Sequence, residues 1–417
     1  MTARKGGKDL RAGAPFSDVD IGSPKFKRDP YPFFARLRAE IPACRVPMPG
    51  RQSAWLITRY DDVAAALTDQ RLAKDRFNAL TAEQASRQPW IPPMFRPLTR
   101  NMLDLDPPDH TRLRALVQKA FTPRLVEGLR ERVQRLADEL LSAASGRGEM
   151  DLIRDFALPI PTTIISEMLG VPAADRNRFH RWSKTIVATS PSGVGMLRAI
   201  PSVLAFLRFI RRLIQIRRAD PRDDLISALV GAEEAGDRLS EDELVAMVFL
   251  LLVAGHETTV NLIGNGTLAL LRHPLQWERL RAEPALIPSA IEELLRYAGP
   301  LMTATERWTR EDLPIAGVTV PRGELVYAVL ASANRDERRF LDPESLDIAR
   351  QPNKHLAFGL GSHYCLGAPL ARLEGQIAIL ALISRFPNLS LTVPVEALGW
   401  RRGFVLRGLE KLPVRSG

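Results

Sequence analysis

Phe358-Gly-Leu-Gly-Ser-His-Tyr-Cys365-Leu-Gly367 sets a single thiol between a glycine-containing turn and a helix-forming run, Gly367-Ala-Pro-Leu-Ala-Arg-Leu-Glu-Gly-Gln-Ile-Ala-Ile-Leu. A sulfur just ahead of a helix faces unpaired backbone N–H groups and the positive end of the helix dipole. Both favour thiolate over thiol. The chain has two cysteines in 417 residues. A four-cysteine zinc site, or an iron–sulfur cluster held by its own thiolates, is therefore excluded by count. A lone cysteine is most often a buried structural residue, so its role has to be read from the rest of the chain.

Hydrophobic residues make up 45% of the sequence, enough for a large core. Length alone allows two or three domains. No Ser/Gly-rich linker, low-complexity tract or repeat divides the chain, which favours one domain over 18–417. Residues 1–17, with Arg4, Lys5, Lys8 and Arg11, read as a flexible tail. They lack the apolar core of a signal peptide or membrane anchor, and so few cysteines suit a reducing cytoplasm. The longest apolar stretch, 203–216, is broken by Arg208, Arg211 and Arg212 and reads as an amphipathic helix packed on the domain. The formal charge is +10, yet the arginines are scattered among acids and aromatics are only 6%. That argues against a nucleic-acid surface and fits attraction to an acidic protein partner.

Along the chain, a first helix falls within 25–42. A hairpin follows, with strands at 44–46 and 54–58 across Pro-Met-Pro-Gly50, and then a helix over 61–67. From 71 to 105 the pattern is irregular, and Trp90, Ile91, Met94 and Phe95 among prolines suit equally a loop covering a ligand pocket and a satellite core. Helical periodicity dominates from 110 to 295. Ser240-Glu-Asp-Glu243 is a capping box opening a helix that continues to Arg272, with a centre apolar all round. That helix should cross the interior. Ala254-Gly255-His256-Glu257-Thr258-Thr259 interrupts it with groups that weaken a helix or need partners. Val260 rules out the HExxH zinc pattern. The C-terminal third mixes short strands at 318–320, 325–328, 389–392 and 404–406 with one long helix. The fold class is mainly α with a minor β region.

Phe358-x-x-Gly361-x-x-x-Cys365-x-Gly367 resembles the haem-ligand loop of the cytochrome P450 family, and further motifs occur in the family's order from about Pro30 to Leu406. The resemblance implies a prism of helices around a buried haem b, with Cys365 as axial iron ligand and Phe358, Gly361 and Gly367 shaping the loop beneath the porphyrin. Ala254 and Gly255 would line an oxygen groove where the helix opens locally. Glu257 and Thr258 would deliver protons to dioxygen there, whereas His256 would be a packed residue. His110 and Arg114, four apart on one helix face, would neutralise the haem propionates together with Arg307 and His355. Glu293 and Arg296 match the family's structural ion pair. Arg350 is the candidate third member, because Ser345 stands where many relatives carry arginine. Trp90, Leu301, Met302 and Phe404 would lie near the substrate.

The activity so implied is insertion of one atom of O₂ into an apolar terpenoid, steroid, fatty acid or polyketide, by hydroxylation or epoxidation. No redox module is appended, so electrons would come from an acidic ferredoxin or flavodoxin and its NAD(P)H-dependent reductase. Arg112, Lys119 and Arg372 are candidate contacts for that partner. The protein is expected to be a cytoplasmic monomer.

Overall fold

A computed structural model describes residues 19–48, 53–86 and 101–416, apart from 177, 180, 183–184, 186–193 and 235. The tail 1–17, the Pro-Met-Pro-Gly50 turn tip and Trp90 with its neighbours 87–100 lie outside the described residues. Elements near the N-terminus are α1 (Pro24–Arg28), α2 (Tyr31–Glu40), β1 (Ala43–Pro47), β2 (Ser53–Ile57), α3 (Tyr60–Thr68) and β3 (Leu72–Ala73). The helical body includes α4 (Asp109–Ala120), α5 (Arg130–Ser145), β4 (Glu149–Asp151), α6 (Pro159–Met168) and α7 (Val194–Ala219). It continues with α8 (Glu241–Leu271) and α9 (Ile287–Ala298). After β5 (Arg307–Thr309) and β6 (Leu325–Ala328) come α10 (Ala368–Arg385), β7 (Ser390–Leu391) and β8 (Pro413–Arg415).

The 31-residue α8 organises the core. Ser240 Oγ accepts from the Glu243 N–H while the Glu243 carboxylate accepts from the Ser240 N–H, closing the capping box. Its second half, Thr259 to Leu270, is buried without a break. α6, α9 and α10 pack around it, as expected for a helix with no polar face. The expected opening at 254–259 is not there: α8 is continuous. Thr258 Oγ donates to the Ala254 carbonyl at 2.9 Å, a bond back to its own helix that accommodates the hydroxyl without breaking the ladder. On α7, Phe206, Leu207, Ile210, Leu213 and Ile214 are buried in the main core, so the amphipathic stretch turns its apolar face inward.

The larger sheet has the order β1-β2-β6-β5-β3. β6 runs parallel to β2 and antiparallel to β5, with Val326 opposite Arg307. β7, β8 and β4 form a second, antiparallel sheet. The expected strand at 404–406 reduces to a single bridge, Leu301 to Leu406. The strand pairing with β7 is instead β8, nine residues further on in a segment that carries Pro413.

α9 explains how loops without regular structure hold their shape. Glu293 and Arg296 meet across one turn, Arg296 Nε donating to Glu293 Oε2 at 2.7 Å and Nη2 to Oε1 at 2.8 Å. Both side chains are fully buried. Arg296 also donates to the carbonyls of Asn334, Pro343 and Ser345. Arg350 Nε joins at 3.1 Å from Glu293 Oε1, and Asn353 Nδ2 bonds the other oxygen. The third member is thus Arg350, and Ser345 contributes only its backbone. Burying two charges is tolerated because each remaining polar site is filled. Arg296→Ala should cost about 3–5 kcal/mol in urea unfolding by stranding Glu293; a loss below about 1 kcal/mol, the level of an exposed pair, would contradict the network's role.

Candidate haem-binding and oxygen site

The Cys365 loop is built from its own hydrogen bonds. The Cys365 N–H donates to the Phe358 carbonyl at 2.9 Å and Tyr364 N–H to Gly361 O at 3.1 Å. Gly361 is required twice over. Its φ is +75°, and a Cβ there would stand 3.0 Å from Thr68 Cγ2 on α3. Phe358 lies under the Arg372 guanidinium at 4.5 Å. The sulfur is reachable by solvent, yet the protein around it is dense enough that lost hydration raises the thiol pKa. The N–H groups of Gly367 and Ala368, with Arg114 and Arg372, act the other way. These are the donors and charges a bound thiolate needs.

Beside this loop lies a cluster of bases. His110 of α4 stacks on His363 with ring centroids 4.0 Å apart. Arg114, one turn along α4, donates from Nη2 to the Tyr364 carbonyl at 2.8 Å. Arg307 of β5 donates to Leu67 O at 3.2 Å. Lys74, next to β3 and 6% exposed, reaches Thr305 Oγ at 2.6 Å and Glu306 O at 2.8 Å. Burial lowers the pKa of every one of these side chains. His363 falls to about 2, with repulsion from His110, Lys74, Arg307 and Arg114 added to burial. Lys74 falls to about 7, with Arg307 as the second cause, and Arg307 itself to about 10. His110 and Arg114 are likewise lowered, chiefly by burial.

Both ring nitrogens of His110 and the Nε of Arg307 are buried without a partner. A haem carries two carboxylates and an iron that a cysteine thiolate can hold. Orphaned donors and like charges beside a solvent-reachable cysteine fit such a group. The residues brought together are His110, Arg114, Arg307 and Cys365, with Lys74 and His363 in addition.

His355 is not among them. Its Nε2 lies 3.1 Å from Glu292 Oε2, and its Nδ1 accepts from the Ala357 N–H. Arg372 closes the group with bonds of 2.7 and 2.8 Å to Glu292. Burial would raise the Glu292 carboxyl, but hydrogen bonds from Arg372 and His355 outweigh it and bring it down to about 2. The histidine in the cradle is His363, two residues before the cysteine. Arg372 is committed to Glu292, and Arg112 pairs with Asp237 at 3.1 Å and with Glu243. Their guanidinium charges are therefore already engaged inside the protein. Lys119 is exposed.

On α8, Ala254 is exposed at the middle of the helix and Gly255 is half-buried. A Cβ on Gly255 would meet Ile165 Cδ1 at 3.7 Å, ordinary contact, so packing alone does not demand glycine. Glu257 Oε1 accepts from Arg401 Nη1 at 3.0 Å, and His256 Nδ1 is 2.7 Å from the Leu252 carbonyl. Leu301 and Phe404 are half-buried, Phe404 packing edge-on to Tyr327 with centroids 4.5 Å apart. Met302 is fully enclosed in the core cluster containing Leu37, Val46 and Leu56. It is a packing residue rather than a pocket wall.

Sequence reading passed over Glu374 on α10, although an acid amid an apolar helix was a visible signal. It is buried, one oxygen has no partner, and Thr259 hydrogen-bonds it. Burial pushes its pKa up to about 8. The folded state therefore holds this proton more tightly than the unfolded chain, whose carboxyl titrates near 4.3. The resulting stability is fully present below the unfolded pKa and is lost as pH rises through about 8. Glu374→Gln should flatten the fall in melting temperature between pH 5 and 8; an unchanged slope would show that Glu374 is ionised in the fold.

Residues 27–396 match the family model described as Cytochrome P450. The chain is 49% identical to Cytochrome P450 107B1 of Saccharopolyspora erythraea, covering 94% of this chain and 96% of that one. Its fold superposes on the bacillaene polyketide synthase cytochrome P450 PksS of Bacillus subtilis with a TM-score of 0.89 at 43% identity, covering 96% and 100% of the two chains. Myxobacterial cytochrome P450 CYP267B1, solved with myristic acid, gives 0.87 at 46% identity, covering 95% and 98%. With a cysteine loop, a cationic cradle and near-complete coverage by such relatives, the chain belongs to the cytochrome P450 family and is a haem b-dependent monooxygenase that uses O₂ and electrons from redox partners.

Proposed function

We propose that this enzyme oxidises an extended, largely apolar carbon chain of the polyketide or fatty-acid class, with Cys365 as the iron ligand. The observation that carries the residue assignment is the buried, partly unsatisfied base cluster adjoining a lone thiol at a helix start. The substrate class is supported by relatives whose names attach them to polyketide biosynthesis or whose structure holds myristic acid. Steroid and terpenoid skeletons are the other classes to be screened. We assign the electrons to a ferredoxin or flavodoxin with its reductase, and the enzyme to the cytoplasm as a monomer. The basic balance of the chain favours an acidic partner. Lys119 is the member of the suggested contact set whose side chain faces solvent.

When bound, haem would supply the oxygen-activating chemistry, with Cys365 holding its iron through a thiolate, the ligand type suited to oxygen activation rather than simple O₂ carriage. The rest falls to the chain. His110, Arg114, Arg307, His363 and Lys74 would hold the propionates by charge-assisted hydrogen bonds. Inserting one oxygen atom and reducing the other to water consumes two electrons and two protons, so protons have to reach an interior site. Thr258 can do this because its hydroxyl donates to Ala254 O yet keeps acceptor capacity for an incoming proton donor. Glu257, half-buried and held by Arg401, stands next along the helix as the carboxylate that exchanges protons with water.

Three measurements follow from these roles. Thr258→Ala should divert O₂ consumption from product to hydrogen peroxide, and unchanged product per NADPH would remove Thr258 from the pathway. His363→Ala should speed haem transfer to apomyoglobin by about 10-fold or more, the worth of one hydrogen bond to a charged group, whereas His355→Ala should not. Equal effects of the two would contradict the placement of His363 in the cradle. A spectral titration with a macrolide aglycone, myristic acid, a steroid and a monoterpene should give the largest water-displacement shift with the first two. A shift confined to the steroid or the monoterpene would overturn the substrate class.

A further inference from the structure

We infer that Lys27 is a positioning residue for Glu257, acting through Arg401. The inference rests on the reading of Glu257 as a proton carrier and adds what holds it in place. Lys27 belongs to α1, at the opposite end of the chain from the segment it touches, and is 1% exposed. Its ammonium donates to the carbonyls of Arg401 at 2.8 Å and Leu406 at 2.5 Å. Among the described residues, no carboxylate bonds it directly. Arg407 and Glu257 are the charges that act on it, the first unfavourably and the second favourably.

A buried ammonium whose only bonds go to main-chain carbonyls is costly unless it shapes something. What it shapes is the segment 401–407. That segment has no strand ladder apart from the bridge at Leu406, and it contains Gly403 at a φ of +140°. Its form is set by contacts with the N-terminal region. Lys27 bridges its two ends, Gly403 N–H donates to Gly22 O at 3.0 Å, and Arg407 Nε donates to Lys27 O at 3.0 Å. Arg402 adds an ion pair to Asp20 at 2.9 Å. The Arg401 backbone is therefore held on both sides, its N–H by Gly408 O at 2.9 Å and its carbonyl by Lys27. The guanidinium is left aimed at Glu257 Oε1, 3.0 Å away. A long exposed arginine would otherwise spread over many rotamers. Holding its backbone narrows where the guanidinium, and with it the Glu257 carboxylate, can rest.

The test uses the haem-loaded enzyme, a surrogate ferredoxin pair and myristic acid as probe substrate, and reads hydrogen peroxide released per NADPH. Lys27→Met, Arg401→Gln and Arg401→Lys are each made alone and with Glu257→Gln. Glu257→Gln should raise peroxide yield. Lys27→Met and Arg401→Gln should raise it on the order of 2–10-fold, the worth of one net hydrogen bond. Arg401→Lys should recover part of the loss, and none of the three should add to Glu257→Gln. Melting temperatures across the Arg401/Glu257 cycle give a readout independent of turnover, where non-additivity reports the ion pair. If Lys27→Met does not load haem, Lys27→Gln, which keeps one amide donor, is read in the same way. Equal increases with and without Glu257→Gln, or no increase from Lys27→Met or Arg401→Gln while Glu257→Gln raises the yield, would overturn the inference. No effect of Glu257→Gln itself would instead overturn the assignment of Glu257 on which it rests.

Discussion

Like charge gathered in a buried place is the constraint on which the site depends. His110, His363, Arg114, Arg307 and Lys74 come from α4, the cysteine loop, β5 and the edge of β3, and burial disfavours the charged form of each. Alone they lose hydration; His363, His110 and Lys74 are also repelled by neighbouring cations, while Asp106 offsets part of the cost for His110, Lys74 and Arg307. A bound dianion reverses both terms, because desolvated ion pairs are strong when every donor finds an acceptor. On the proposed assignment, the same elements would bring binding energy for the cofactor, with the bases taking its carboxylates and Cys365 its metal.

Around that site the fold separates structural charge from chemical charge. In the Glu293–Arg296–Arg350–Asn353 network both Glu293 oxygens are taken by short bonds, and among its buried polar atoms Asn353 Oδ1 is left without a partner. Glu292, one residue away, ties Arg372 and His355 behind the cysteine loop and keeps Phe358 beneath a guanidinium. Neither group touches the base cluster. They fix the loop's shape, and the loop fixes the sulfur. On α8 the division is similar, with Thr258 bonded to its own helix and Glu257 to a segment clamped by the chain's other end.

What was legible in the sequence followed from local spacing. The Cys365 loop, the His110/Arg114 pair and the Glu293/Arg296 pair each lie within one turn or one loop, so periodicity and motif order locate them. Lys74 was not legible. Its place depends on β3 pairing with β5, a contact across more than 200 residues that makes an ordinary lysine part of a buried cluster. His355, just ahead of the cysteine loop, and His363, within it, could not be told apart by motif alone. Their side-chain partners separate them: His363 meets His110 of α4, whereas His355 meets Glu292. The expected break in α8 failed because a threonine hydroxyl can bond its own helix, and Met302 was misplaced because enclosure depends on packing across strands.

The central claim, that the thiol of Cys365 binds the haem iron on one side of this cradle, is tested most directly by the absorption spectrum of the reduced, CO-saturated protein. Thiolate ligation predicts a strongly red-shifted Soret band that disappears in Cys365→Ala while His363 and the other bases still retain haem. An imidazole-type band in the unaltered protein, or a red-shifted band that survives Cys365→Ala, would contradict it.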